Sequence, residues 1–220
     1  MKTRRQFIKF SAKFLSGLVM FFGTIGAWLE KVYAQAKRVL VPKGTDLSSL
    51  RNENPATLDT RDLEVLPLKE FETMGQTDHE VDLKSWRLLI DGNVATPIRL
   101  PYSRIVELPS IERRILLICP GIFTNHGSWK GISLTTVLNL AGIKADTTDI
   151  IVSGPQGAYE KVEKFPLADI RSDKVYLAYQ VNGQKLPQKH GFPLRIVAED
   201  YYGDEWVKYV YKIEANKHME

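Results

Sequence analysis

Apolar and polar positions divide the chain into a long apolar opening, a polar stretch without period, and a region of short apolar runs. SWRLLIDG, residues 85–92, alternates in strand fashion and ends in an Asp-Gly turn, and PIRL continues as a second short strand. Pro101 begins a short helix, PYSRIVEL. Arg113 to Cys119 is predicted as a strand whose continuous apolar part, ILLIC, calls for burial on both faces. Ser133 is placed to cap a helix over SLTTVLNLAG, with Leu134, Val137, Leu138 and Leu140-Ala141 on one face and Gly142 closing it. TTDIIVSG is another buried strand. A turn and then EKVEKF follow, and Pro166 starts a further short helix, PLADIRS. VYLAYQVNG, PLRIVAE and EWVKYVYKIEA complete the strand set. Short helices scattered among many strands, without regular alternation, predict an α+β fold with a mixed sheet. A doubly wound nucleotide-binding fold is disfavoured, because no G-x-G-x-x-G follows any strand.

The opening reads as a targeting segment. MKTRRQFIKF is a basic start, FLSGLVMFFGTIGAWL is an apolar stretch of about sixteen residues, and Ala34 and Ala36 supply a small-x-small cleavage pattern. Arg4-Arg5 followed by Gln6-Phe7-Ile8-Lys9 matches a twin-arginine export signal, expected over residues 1–36 with cleavage after Ala36. The apolar stretch is shorter than the roughly 20 residues that span a bilayer, which counts against an uncleaved anchor. The twin-arginine route moves folded proteins, commonly because a cofactor is inserted before export. The expected location is the periplasm. Residues 37–80, rich in Pro, Asp, Asn and Ser, are expected to form an extended arm, laid over the domain or in part disordered, before a domain at 81–216.

Removing the signal changes the charge picture. Of the 30 Lys/Arg and 26 Asp/Glu, six and one lie in the first 36 residues, which leaves 24 and 25 and a net charge near −1. No nucleic-acid footprint remains, and the remaining length suits one domain with a proper core.

The only cysteine, Cys119, stands where the ILLIC strand meets Pro120-Gly121. Three readings are open for it: a small buried hydrophobe, a nucleophile, or a metal ligand. A nucleophile needs a His and an Asn or Asp in reach; Asn125 and His126 are close in sequence, but in no cysteine-protease spacing. Zinc needs three or four ligands, and one Cys with scattered His79, His126, His190 and His218 offers no such spacing. A soft metal already held by a cofactor's own sulfurs needs only one protein thiolate.

At this point two blocks carry a resemblance. Arg113-x-x-x-x-x-Cys119-x-Gly121 followed by Trp129-x-Gly131 and the SLTTVL helix, then LPQKHGFPLRIVAEDYYGDEWVKYVYKIE, resembles the molybdopterin-binding domain of the sulfite oxidase family. The similarity runs from Trp86 to Glu214 and is greater to the single-domain exported branch, which includes the periplasmic methionine-sulfoxide reductase subunit. The resemblance implies a mixed α+β fold with one molybdenum-molybdopterin per chain and Cys119 as the metal ligand. It also implies that Arg195 binds the pterin or its phosphate, that His190 contacts the cofactor, and that Trp206, Val207 and Lys208 hold the phosphate end through backbone groups and a lysine. Charge-assisted donors suit a buried phosphate, and a guanidinium offers a fork of them. Asn125, His126 and Trp129 become candidates for the mouth of the site, with His126 able to donate a proton near neutral pH.

Three positions depart from the family pattern. Pro120-Gly121-Ile122-Phe123 follows the cysteine where larger sulfite oxidases have Gly-Asn-Arg, so the arginine of an anionic substrate pocket is missing and sulfite is disfavoured. KEFETMG, residues 69–75, lacks the Asn or Arg-x-His pattern that relatives present to the pterin. The polar position after the middle strand is Ser153-Gly154, which leaves the Ser153 hydroxyl or backbone for that contact.

The expected function is oxygen-atom transfer on a small-molecule substrate, sulfoxide-type reduction first and sulfite-type oxidation second. C-x-x-C-H requires two cysteines, so no heme attaches and electrons are exchanged with a separate partner, taken to be membrane-bound. A monomer is expected. The competing class is a non-catalytic binding module that kept the fold, and a third reading is a metal-free thiol enzyme.

Overall fold

The structure, a computed structural model, describes residues 38–217. The expected export signal and its cleavage site lie outside the described residues. The chain divides between Val39 and Leu40, and the unit from Leu40 onward carries the architecture described below. Its elements are β1 (Arg87–Gly92), β2 (Ile98–Pro101), α1 (Tyr102–Val106), β3 (Ser110–Cys119), β4 (Phe123–Ser133), α2 (Leu134–Leu140), β5 (Asp149–Ser153), β6 (Val162–Pro166), α3 (Leu167–Arg171), β7 (Val175–Val181), β8 (Gln184–Lys185), β9 (Arg195–Ala198) and β10 (Lys212–Asn216).

The ten strands just named make two sheets. One runs β8-β7-β4-β3, with β9 also pairing β7, and all its pairs are antiparallel. The other runs β2-β1-β10-β5-β6 and is mixed, since β1 and β10 are parallel and the other pairs antiparallel. With three short helices beside them, this is the α+β arrangement the sequence predicts.

β3 shows how the apolar run is used. Ile115, Leu117 and Cys119 join the main core, while Leu116 and Ile118, on the opposite face, close a second cluster with Val41, Leu50, Leu58 and Leu63. The segment before Trp86 therefore supplies the lid of β3's outer face, and short 3-10 turns at Leu47–Leu50 and Pro55–Thr57 shape it. Asp46 and Asn54 cap these turns by accepting the N–H groups of Ser48 and Ala56.

Three sequence readings are corrected. Residues 123–133, for most of which the sequence predicts no element, form the eleven-residue strand β4, because each of its edges finds a partner strand. Ser133 does cap α2, its Oγ accepting the Thr135 N–H at 3.2 Å, but Leu140 is 53% exposed. It lies two residues past Leu138, about 200° around the helix and off the apolar stripe. EWVKYVYKIEA is a strand only from Lys212; Tyr209 sits at φ 54, in the left-handed region, which breaks the extended run before it.

Candidate cofactor-binding site

A cavity of about 330 Å³ opens where the end of β3 and the start of β9 meet three connecting segments, residues 72–76, 158–161 and 203–209. Cys119, Asn125, Arg195, Trp206 and Lys208, five of the residues singled out from sequence, line it.

Cys119 ends β3, and the next residues turn sharply: the Ile122 N–H donates to the Cys119 carbonyl at 3.0 Å, with Gly121 at φ 71. The thiol is only 4% exposed, and burial, then the Asp204 carboxylate, pushes it up from the ordinary cysteine value. Among the described residues no group of three or more His, Cys, Asp or Glu converges as a self-sufficient metal cage.

The cations lie on the floor. Arg195, first residue of β9 and 4% exposed, donates from Nη1 to the His190 carbonyl at 3.1 Å and from Nε to the Ile196 carbonyl at 3.4 Å. Its guanidinium carbon lies 5.0 Å from the Trp129 ring centre and 5.4 Å from that of Trp206. Burial lowers its pKa to about 9. Lys208 Nζ donates to the carbonyls of Met74 at 2.8 Å and Gln76 at 2.7 Å, and burial, then Arg195, lowers its pKa to about 8. No ion pair with a carboxylate is formed by either cation among the described residues. A buried guanidinium and a half-buried ammonium without a carboxylate partner are costly to hold side by side, and an anion of the right shape relieves both.

The other expected site residues stand behind the cavity or away from it. His190 is 1% exposed, its Nε2 has no hydrogen-bond partner among the described residues, and burial, then Arg195, Lys189 and Lys208, lowers its pKa to about 3. Val207 is buried and its carbonyl accepts the Ile196 N–H at 2.8 Å. Ser153 ends β5 and its carbonyl accepts the Tyr211 N–H at 2.9 Å. His126 does not reach the mouth. It is fully buried, its Nδ1–H donates to the Glu64 carbonyl at 2.9 Å, and strand alternation turns it away from the face that carries Asn125.

Sequence reasoning missed the aromatic wall. Tyr159 and Tyr209 line the cavity, and the His79 ring lies 4.7 Å and 5.0 Å from them and 3.0 Å by Nε2 from the Tyr211 hydroxyl. Tyr159 also donates to Asp78 at 2.7 Å, which ties the loop before β6 to the arm. These residues are scattered in the chain, and only the run of aromatics in WVKYVY gave any signal.

The family described as oxidoreductase molybdopterin binding domain matches residues 74–220. The chain belongs to that family. Within it, the chain is 29% identical over 163 residues to the protein-methionine-sulfoxide reductase catalytic subunit MsrP of Gluconobacter oxydans (strain 621H), covering 66% of this chain and 51% of that one. It is 28% identical over 158 residues to a nitrate reductase [NADH] of Petunia hybrida, covering 58% of this chain and 17% of that one. The chain thus spans about half or less of the length of these two relatives. In fold it is similar to the sulfane dehydrogenase SoxCD of Paracoccus pantotrophus, with TM-score 0.60 and 23% identity, covering 64% of this chain and 40% of that one. Membership implies a molybdenum-molybdopterin cofactor and an oxidoreductase domain.

Proposed function

We propose that this protein is an exported molybdenum-molybdopterin oxidoreductase that removes an oxygen atom from a small sulfoxide-type substrate, with electrons delivered by a separate, membrane-bound redox partner. The observation that carries the reading is one cavity lined by a single buried thiol, a buried guanidinium and a half-buried ammonium, neither cation having a carboxylate partner among the described residues. That donor set fits the group: a soft thiolate for a metal held by other sulfurs, and a fork of charged donors for a phosphate.

When bound, the cofactor supplies the two-electron oxygen-atom exchange. The net reaction balances as sulfoxide plus two electrons and two protons giving sulfide plus water. The chain's own groups bind and orient. Arg195 and Lys208 would hold the phosphate end beside Trp206, with His190, Val207 and Ser153 behind this wall of the cavity. Cys119 would hold the metal through its thiolate sulfur, so its proton would have to leave when the cofactor binds. Leu117 and Phe123 beside the thiol, with the tyrosine wall, exclude water from the reacting end.

Charge around the thiol favours a neutral substrate. Asp204 is the charged group felt at Cys119, and the turn Pro120-Gly121-Ile122 brings no cation there. An oxyanion such as sulfite would meet repulsion at that end. Asn125, also on the cavity wall, bonds the Glu72 backbone through both Oδ1 and Nδ2, which fixes the orientation of its amide and leaves the second Nδ2 hydrogen over for the site.

The test is elemental analysis of the protein purified from the periplasm of a molybdopterin-competent host, beside Cys119→Ser. Stoichiometric molybdenum, with an altered metal signal and lost sulfoxide turnover in the variant, is expected. A well-folded protein without molybdenum would overturn the reading and leave a non-catalytic binding module on this fold.

A further inference from the structure

The motif Trp129-x-Gly131 has no role in the site described so far, since Trp129 does not line the cavity. Its place in the sheet gives it one. Gly131 of β4, Ala178 of β7 and Arg195 of β9 stand opposite one another in one cross-strand row. Directly opposite residues share a face, so no large side chain stands in the row ahead of Arg195. Trp129 lies two residues before Gly131 on β4, on that same face. The register slips between Lys130 and Gly131, so Trp129 pairs with Val181 and Gly131 with Ala178. Such a bulge re-aims the side chains next to it. The glycine is required here: a Cβ at 131 would stand 1.7 Å from the Leu177 carbonyl oxygen.

The ring so placed is held from several sides. Trp129 is fully buried, its Nε1–H donates to the Ile115 carbonyl at 3.3 Å, and its carbonyl accepts the Tyr176 hydroxyl at 3.0 Å. Phe71 packs on it at 5.9 Å, and Trp206 meets it at 5.6 Å and 71°. The two indoles make a corner, and the Arg195 guanidinium lies against both rings.

We propose that Trp129 is a positioning residue for Arg195: with Trp206 it holds the guanidinium by its π face, which stabilises the charge without neutralising it and leaves N–H donors free for an anion. A carboxylate in the same place would occupy the donor fork and cancel the charge that an anion needs. An indole face attracts the cation and consumes no N–H. The hydrogen bonds of Arg195 use Nε and Nη1 and leave Nη2 without a protein acceptor among the described residues. The inference rests on the anion-binding role proposed above for Arg195.

The experiment measures inorganic phosphate binding to the cofactor-free full-length protein by calorimetry, with the thermal midpoint of each variant recorded alongside. Arg195→Ala, Trp129→Phe and Trp129→Leu are compared, with Trp206→Phe and Trp206→Leu as a second pair should Trp129→Leu fail to fold. The aromatic variants should keep phosphate affinity within about twofold of the parent. The leucine variants should lose about threefold to thirtyfold, the range of a desolvated cation–π contact, while still folded at the assay temperature. Loss in Arg195→Ala with full affinity in a folded leucine variant overturns the positioning role alone. Equal losses in the phenylalanine and leucine variants, tracking their thermal midpoints, overturn it too. Unchanged binding in Arg195→Ala would instead overturn the anion role from which the inference starts.

Discussion

Asn125 and His126 are neighbours on β4 and serve opposite faces of it. The Asn125 amide grips Glu72 at two points, accepting its N–H at 3.1 Å and donating to its carbonyl at 2.8 Å, at the cavity wall. His126 turns the other way, into the layer under the N-terminal segment, where Nδ1–H bonds to Glu64 and the His126 carbonyl accepts the Leu66 N–H at 2.8 Å. Two adjacent polar side chains thus pin the same arm from either side of one strand.

Asn125→Ala should free the backbone of Glu72. Losing two part-buried hydrogen bonds and leaving their partners unmet is expected to cost about 1–3 kcal/mol, seen as a lower urea midpoint. Faster amide exchange confined to residues 72–76 would locate the effect at the cavity roof.

Stability should fall with acid through two histidines. Burial holds His126 below its ordinary value of 6.5, against the opposing Glu64 bond, and His190 falls to about 3. Below about pH 6.5 the unfolded chain takes up protons that the folded protein refuses, so stability is full above that pH and declines beneath it. Each group contributes a slope of at most about 1.4 kcal/mol per pH unit. Denaturation midpoints from pH 8 to 4 should show this decline, and His126→Gln should make it shallower; a flat profile in the parent protein would contradict both burials.

Phosphate binding by the cofactor-free protein should weaken as pH rises through about 8, where Lys208 loses its proton. Burial makes the ammonium the less favoured form, so its charge is lost well before that of an exposed lysine. Lys208→Arg should remove the step near pH 8 in calorimetric phosphate binding and leave only the decline that Arg195 brings near pH 9.

Ile118→Ala tests the second apolar cluster. Ile118 is fully buried beneath Val41, Leu50, Leu58 and Leu63, and truncating it should cost about 2–5 kcal/mol. Because those partners belong to the arm, limited proteolysis should show earlier cleavage between residues 41 and 63 in the variant than in the parent.

What the sequence determined by itself was the alphabet of elements and the chemistry of the site's two ends. Period and composition mark β1, β3, β5 and β7, because their apolar runs are continuous or strictly alternating and need no partner to be read. Cys119 is marked as the lone thiol of the chain, whereas Arg195 and Lys208, two among 30 Lys/Arg, are marked only by the resemblance of their motif block to the family. Tertiary structure alone decided the rest. FTNHGSWKGIS carries too many polar and glycine positions to look like a strand, yet β4 lies between β3 and β7 and its polar groups bond to the arm, contacts between 53 and 62 residues apart in the chain. Which way Asn125 and His126 face depends on the register of that strand, and a pleat gives opposite faces to neighbours whatever their chemistry. The pairing of Trp129 with Arg195 follows from a bulge and two small residues in one row, a spatial relation that no spacing along the chain encodes.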